Sequence, residues 1–273
     1  MNAGPMSQSE LAAAVAKSDR RRESAWSLRF RVITTLILLA IGTFIAVYFN
    51  VEATFLTSAA PFIAGGISLT IVVALLSIAL ATALAVLGAL GRLSRSATAN
   101  AIASFYVSFF RGTPLLLQVL FWYLGLPQVG IVLDPFICAV GALGMNYGAY
   151  MTELFRAGIQ AVPVGQREAA VALGMSEQTA FRRVVAPQAF RIVLPAIGND
   201  FIAMLKDSAL ASTVTLHEIL WRAQNIGRRE FKSLQTLLIA AVFYWIMTIA
   251  FSALQSWLER RMAAGDRNQA VKG

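Results

Sequence analysis

The sequence predicts an all-α integral membrane protein with about six transmembrane helices, each near the roughly 20 residues that cross a bilayer core. Of the 273 residues, 58% are hydrophobic and only 14% are charged, whereas about a quarter of the residues in soluble proteins are charged. The net charge of +9 is explained by cationic cytoplasmic loops. We therefore expect membrane lipid as a partner, and no nucleic acid.

The N-terminal part divides into a cytoplasmic tail, residues 1–29, and an additional transmembrane helix with its external loop, residues 30–60. Basic residues cluster directly before the span over residues 32–49, and such a cluster places the N-terminus in the cytoplasm. A regulatory or lipid-headgroup role of the cluster is the alternative. The external loop around Glu52 leads to Pro61.

The predicted main transmembrane domain, residues 61–258, begins with a long apolar run over residues 67–90. Small residues recur along this run every three to four positions and allow neighbouring helices to approach closely. These residues are Ala74, Ser77, Ala81 and Ala85. Arg92 follows the run and indicates its cytoplasmic end.

The next span is interrupted at Arg111-Gly112-Thr113-Pro114. We expect Thr113 to be the N-cap of a new helix and Pro114 its first residue. A break within a span requires that protein or water covers the freed backbone groups. Arg111 therefore borders a bent span near the inner face or, alternatively, extends to the cytoplasmic headgroups.

The span over residues 136–155 carries a polar stripe, because Asn146, Tyr150 and Glu153 share one helical face. Membrane helices turn such groups toward a partner or a watery cavity, so we expect the stripe to face the translocation path or another subunit. The alternative is that the tyrosine packs between helices and Glu153 pairs with Arg156 near the inner interface.

Charged residues also end the span that begins near residue 193. Lys206 and Asp207 are neighbours in sequence and point apart, so each needs a different partner. Such residues indicate a functional site, with a structural ion-pair network as the alternative. The predicted substrate path comprises Gln118, Asn146, Tyr150, Glu153, Lys206 and Asp207.

A polar segment, residues 157–191, separates these two spans, and its basic residues place it in the cytoplasm. Its first part consists of good helix formers, and Gly174 follows where a left-handed residue would end the helix. Ser176 is predicted to cap a second short helix, which Pro187 is predicted to end.

This segment resembles the EAA loop of the membrane subunits of bacterial ABC importers, on the pattern Glu168-Ala169-Ala170, Gly174 and Val184-Val185-Ala186-Pro187. Val184 and Ala186 stand where the family usually has Ile and Leu. Residues 111–116 and 206–210 resemble segments of polar amino acid permeases, although Ser208 and Ala209 replace a usual Thr and Ser. The resemblance covers about residues 65–257.

The resemblance implies a permease subunit of an ATP-driven importer that translocates a polar or charged amino acid or a close analogue. The implied partners are a cytoplasmic ABC ATPase dimer, a periplasmic or extracellular solute-binding protein, and a second permease subunit. The implied ATPase-coupling residues are Arg167, Glu168, Ala169, Ala170, Gly174 and Ser176. The implied location is the bacterial cytoplasmic (inner) membrane, with both termini in the cytoplasm.

Enzyme chemistry is not expected, because the sequence has no GxxxxGK[ST] phosphate loop and ATP hydrolysis must belong to a separate subunit. The sequence contains one cysteine, Cys138, and one histidine, His217. This composition predicts neither a metal site nor a cofactor. Residues 213–232 are predicted to form an external loop, and a last span precedes a cytoplasmic tail, residues 259–273. The alternatives are an ion-driven secondary transporter or channel without an ATPase partner, and a non-transporting scaffold.

Overall fold

The computed structural model describes residues 8–48 and 52–270, which contain helices and connecting turns but no β-strand. The chain forms two compact units, and the first ends at Thr54. Its helix α1, Gln8–Tyr48, includes a segment, Trp26–Phe44, that is long and apolar enough to cross a membrane. The basic tail and the first span are thus one continuous helix, and the predicted division at residue 29 stays a prediction.

The remaining α-helices of the described residues belong almost entirely to the second unit, which begins at Phe55. They are α2 (Ala53–Ala64), α3 (Ile67–Leu93), α4 (Ala97–Gly112), α5 (Leu115–Leu120), α6 (Pro135–Ala161), α7 (Val164–Ala172), α8 (Glu177–Ala180), α9 (Ala186–Asp207), α10 (Ile219–Arg229) and α11 (Ser233–Ala270).

Helices α3 and α6 pack against each other in the centre of the second unit. A Cβ atom at Gly88 of α3 would lie 2.3 Å from Thr152 Oγ1 of α6, and one at Gly144 would lie 2.6 Å from Leu80 Cδ2. The four small residues that were predicted to allow close packing along α3 are all fully buried. That prediction is confirmed.

The predicted break lies between α4 and α5, which are bent by 104° relative to each other. Thr113, however, is not the N-cap of the new helix. It ends α4, its hydroxyl donates to the Phe109 carbonyl at 2.9 Å, and Pro114 occupies the capping position without a side-chain bond. The expectation was wrong because the hydroxyl bonds back to the preceding turn of α4.

The carbonyl groups freed by the break are bonded to buried side-chain amides. Gln118 Nε2 donates to the carbonyls of Phe110 at 2.9 Å and Thr113 at 3.1 Å. Asn146 Nδ2 of α6 donates to the same Phe110 carbonyl at 3.0 Å. Protein groups therefore cover the break, as an interruption within a membrane requires.

Two predicted loops contain helices, and in both the reason is an apolar face that is buried in one cluster with residues of α11. Most of the predicted external loop near Pro61 is α2, whose Ala59 and Ile63 are fully buried. The second, residues 213–232, contains α10, whose Ile219 and Ala223 are buried in the same apolar cluster. In α10 the remaining positions are mostly polar and concealed this face in the sequence, whereas α2 is apolar but is only 12 residues long.

Membrane-spanning segments were assessed from length and apolarity in the part of the chain that the structure describes. Three segments qualify, Trp26–Phe44, Ala53–Leu93 and Ser233–Met262, and the bent pair of α4 and α5 raises the number to four. Helices α6 and α9 do not qualify by composition, since they carry the polar groups described below. The predicted number of about six stays a prediction.

We expect the substitution Gly88→Val to destabilise the domain by about 1–3 kcal/mol, because overpacking forces neighbouring groups apart. The purified chain in detergent should therefore melt at a clearly lower temperature. The matched control is Gly165→Ala, where an added Cβ meets no atom within 4 Å. Equal melting temperatures of the two variants would contradict this account of the contact between α3 and α6.

Candidate functional site

A cavity of about 530 Å³ lies where the break between α4 and α5 faces α6 and α9. Its polar and charged lining residues are Arg111, Thr113, Asn146, Tyr147, Tyr150, Asp200 and Asp207. Each element contributes for a local reason: the break exposes the end of α4, and the polar stripes of α6 and α9 face the opening. Polar groups of three elements thus converge within an otherwise apolar unit.

The cavity combines one guanidinium with two carboxylates. The Cζ atom of Arg111 lies 5.0 Å from the centroid of the Tyr150 ring, a cation–π contact that positions the guanidinium at the break. The Tyr147 hydroxyl donates to Asp207 Oδ2 at 2.7 Å. Asp200 lies two helical turns before Asp207 on the same side of α9. This arrangement can bind a molecule that carries both a carboxylate and an ammonium group.

Half of the residues in the predicted substrate path line this cavity, namely Asn146, Tyr150 and Asp207. Four further polar or charged lining residues were not included in that path: Arg111, Thr113, Tyr147 and Asp200. The seven-residue spacing between the two aspartates on α9 was a usable signal for Asp200. For Arg111 no signal sufficed, because its direction depends on the 104° bend.

The other three predicted path residues lie elsewhere. Gln118 is buried at the break, where it caps backbone carbonyls, and it accepts a bond from Asn146 Nδ2 at 3.3 Å. Lys206 is exposed and is not among the residues that line the cavity. Its neighbour Asp207 has its partner on another helix, as expected.

Glu153 forms ion pairs at the end of α6 that lies near α7. Its carboxylate bonds to Arg92 Nε of α3 at 3.1 Å and to Arg156 Nη2 at 2.8 Å. The pairing with Arg156 that the sequence left open is therefore present. With a second cation from α3, the carboxylate connects the two central helices.

The loop after α6 ends its first helix in the way that the sequence predicts. Gly174 has a φ of +84°, the left-handed conformation that glycine adopts without strain. Its N–H donates to the Val171 carbonyl at 2.9 Å, and the Met175 N–H donates to the Ala170 carbonyl at 3.2 Å. These two bonds are those of a Schellman motif and close α7.

The second short helix begins as predicted, since the Ser176 hydroxyl accepts the Thr179 N–H at 3.3 Å. An ion pair ties it to α7, with Arg167 Nη2 2.6 Å from Glu177 Oε2. The expected coupling residues therefore differ in their exposure and in their contacts. Glu168, Ala169, Gly174 and Ser176 are exposed, Arg167 is paired within the loop, and Ala170 is buried.

Pro187 does not end the second helix, contrary to the prediction. The chain continues from α8 through a π-helical turn, Phe181–Val185, into α9, whose first turn contains the proline. In this wider turn, the Ala186 N–H donates to the Phe181 carbonyl five residues back. The wider turn just before Pro187 lets the helix continue past a residue that has no N–H to donate.

A helical unit with spans, a polar cavity at a broken helix and a capped helical loop at one end defines the membrane component of a transport system. The chain belongs to the family of binding-protein-dependent transport system inner membrane components, whose model matches residues 81–264. The resemblance found in the sequence is thereby confirmed. The protein is a membrane permease subunit rather than an enzyme.

Two relatives from Bacillus subtilis (strain 168) have assigned transport roles. The chain is 41% identical over 203 residues to the L-cystine transport system permease protein TcyB, and the alignment covers 74% of this chain and 87% of that protein. It is 37% identical over 207 residues to the arginine transport system permease protein ArtQ, covering 76% of this chain and 94% of that protein.

Solved structures share the fold. A crystal structure of an amino acid ABC transporter with histidines superposes with a TM-score of 0.73 at 38% identity, over 77% of this chain and 99% of that chain. The inward-facing MetNI methionine ABC transporter superposes with a TM-score of 0.54 at 17% identity, over 76% of this chain and 98% of that chain.

We expect Glu153→Gln to lower the melting temperature of the purified chain, because the amide leaves two half-buried guanidinium groups without their counter-charge. Glu177→Gln removes an ion pair whose side chains are mostly exposed, and such pairs contribute little to stability. This control should melt close to the unmodified chain. If Glu153→Gln instead left stability unchanged but altered solute affinity, Glu153 would belong to the path.

Proposed function

We propose that this chain forms the translocation path of an ATP-driven importer for amino acids and that the cavity at the broken helix binds the transported molecule. The observation that supports this most directly is the set of charges in the cavity. Arg111 lies on one side of it, and Asp200 and Asp207 lie on α9. A free amino acid carries the complementary groups.

The charges suggest how such a molecule is oriented. A guanidinium binds a carboxylate through paired N–H donors, so Arg111 is suited to the α-carboxylate. Asp207, positioned by Tyr147, is suited to an ammonium group, and Asp200 adds a second negative charge. With two carboxylates and one guanidinium, the cavity favours an amino acid with an additional cationic group.

The relatives agree with this substrate class. The transport roles of those relatives concern L-cystine and arginine, and a permease protein from Rhizobium radiobacter, 39% identical over 215 residues, belongs to octopine transport. All three molecules contain amino acid carboxylates and nitrogen cations. We infer a polar or charged amino acid, or a close analogue, as the solute of this chain.

The loop of α7 and α8 is the proposed contact for a cytoplasmic ABC ATPase dimer. Its outward face combines Glu168 and Ala169 with an exposed apolar residue, Leu173, which is 81% exposed just before Gly174. An exposed leucine near the end of a short helix suits insertion into an apolar groove of a partner. Arg167 acts within the loop, where its ion pair with Glu177 holds α7 against α8.

We infer the remaining parts of the transporter by analogy with the family. A second permease subunit completes the path as a homodimer or heterodimer, and an external solute-binding protein delivers the solute. Both termini of the chain lie in the cytoplasm. Residues 1–29 and 259–273 form the tails, residues 30–60 the additional helix and its loop, and residues 61–258 the permease domain.

Asp207→Asn and Arg111→Gln are expected to weaken solute binding about tenfold or more, since hydrogen bonds to charged groups contribute about 1.5–3 kcal/mol. The measurement is the shift in melting temperature of the purified chain with L-arginine, compared with L-glutamate. Glu230→Gln, outside the cavity, is the control and should bind like the unmodified chain. Unchanged L-arginine binding in both cavity variants would refute the site.

Gly174→Val should uncouple ATP hydrolysis from transport, because a β-branched residue is strained at a φ of +84° and the turn must change shape. The measurement is solute-stimulated ATP hydrolysis in the reconstituted complex, together with recovery of the ATPase on the tagged chain. Gly165→Ala, in the first turn of α7, is the control. Normal coupling in Gly174→Val would exclude this loop as the contact.

A further inference from the structure

The turn between α10 and α11 holds Phe231 in a left-handed conformation with a φ of +53°, and its side chain is 96% exposed. Hydrogen bonds fix this turn: the Glu230 N–H donates to the Ile226 carbonyl and the Lys232 N–H to the Gly227 carbonyl, both at 2.9 Å. Phe231 therefore occupies the position after the helix end at which glycine is usual.

A phenylalanine at this position is energetically unfavourable for two reasons. The left-handed backbone brings its Cβ close to the following carbonyl, and the ring gains no burial in the unit to offset that strain. Strained residues persist where the surroundings enforce them, and they concentrate at functional sites. An interaction outside the unit would account for Phe231.

Basic residues flank the ring. Arg228 and Arg229 are exposed, and the Lys232 ammonium lies 4.6 Å from the centroid of the Phe55 ring. The acidic residue of the turn, Glu230, bonds to Arg229 Nε at 2.9 Å. Residues 228–232 thus present an exposed aromatic ring within a segment of net charge +2.

The turn is continuous with a surface suited to lipid. The span Ser233–Met262 begins two residues after Phe231. Leu234 and Leu237 in its first turns are 42% and 40% exposed, and Trp245 further along is 56% exposed. The ring and the cations therefore lie at the end of an apolar stripe, the depth at which aromatic and basic residues contact headgroups.

The turn lies at the end of the unit opposite the loop of α7 and α8. Lys232 of the turn contacts Phe55 of α2, which precedes the first residue of α3, whereas Arg92 in the last turn of α3 pairs with Glu153 near α7. On the orientation that the proposed function assigns, this end is the outer face. Basic residues are disfavoured in short external segments, so topology does not account for them.

We propose that Phe231, Arg228, Arg229 and Lys232 form a binding site for the headgroup of an anionic phospholipid. The guanidinium and ammonium groups bind the phosphodiester, and the ring enters the boundary between headgroups and acyl chains. Burial of the ring in lipid offsets the strain of its left-handed backbone. The continuity with the apolar stripe of α11 favours lipid over a soluble protein partner.

The test uses the full purified chain in detergent, with phosphatidylglycerol as the probe and phosphatidylcholine as the comparison. The readouts are the rise in melting temperature and the number of lipids retained in native mass spectrometry. Phosphatidylglycerol should raise the melting temperature more, and Phe231→Gly should lose at least half of that difference. Glycine relieves the strained φ, so this variant without lipid should be no less stable than the unmodified chain.

Arg228→Gln combined with Arg229→Gln should lose the phosphatidylglycerol effect as well. The matched control is Arg182→Gln combined with Arg183→Gln, two adjacent exposed arginines on the loop side, which should retain it. A full phosphatidylglycerol effect in Phe231→Gly would overturn the proposal. So would loss of capture of the cognate solute-binding protein with unchanged lipid binding, since the turn would then belong to that partner.

The assay requires no solute, ATPase or transport. A chain that bound phosphatidylglycerol at this turn but failed to bind amino acids would refute the proposed function and retain the lipid site. The reverse result would refute the lipid site alone.

Discussion

The close contact between α3 and α6 is the constraint on which the rest of the permease unit depends. In a bilayer, helices gain little from hiding apolar surface from one another, so association relies on van der Waals packing of small residues. Gly88 of α3 packs against Thr152 of α6, and Gly144 of α6 packs against Leu80 of α3. On α9, Val193 Cγ1 would lie 2.4 Å from a Cβ atom at Gly158, so α6 is packed tightly on two sides.

With α6 held in this way, its polar face can turn only toward the broken span and the end of α9. Asn146 then serves two purposes, because it lines the cavity and also bonds to the Phe110 carbonyl at the break. The break in turn places Arg111 at the cavity. The binding site therefore depends on a helix interruption that would be unstable without the buried amides of Gln118 and Asn146.

The two candidate sites are connected by continuous helices. Helix α6 leads from the cavity residues to α7, and α9 leads from α8 back to Asp207. A displacement of the proposed ATPase-coupling loop would be transmitted along both helices, since each runs without a loop from the coupling segment to the cavity. In the proposed mechanism, this connection allows ATP binding at one end to alter the affinity for solute in the cavity.

Local rules succeeded where the interactions are local. The Gly174 turn and the Ser176 cap were predictable because their partners lie within five residues along the chain. The same rules failed at Thr113, whose hydroxyl donates to a carbonyl in the preceding turn of α4 instead of capping α5. They also failed at Pro187, because a π-helical turn connects α8 to α9 without a break.

The sequence by itself determined the class of the protein, its all-helical character, the position of the break and the caps of the loop, because apolar run length, small-residue spacing and motifs are one-dimensional properties. Only the tertiary structure decided which polar side chains share a cavity. Glu153 and Asp207 both lie in polar stripes of spans, yet Glu153 pairs with Arg92 of a neighbouring helix, whereas Asp207 lines the cavity. A helix face is encoded locally, but the group opposite that face is set by how the helices pack.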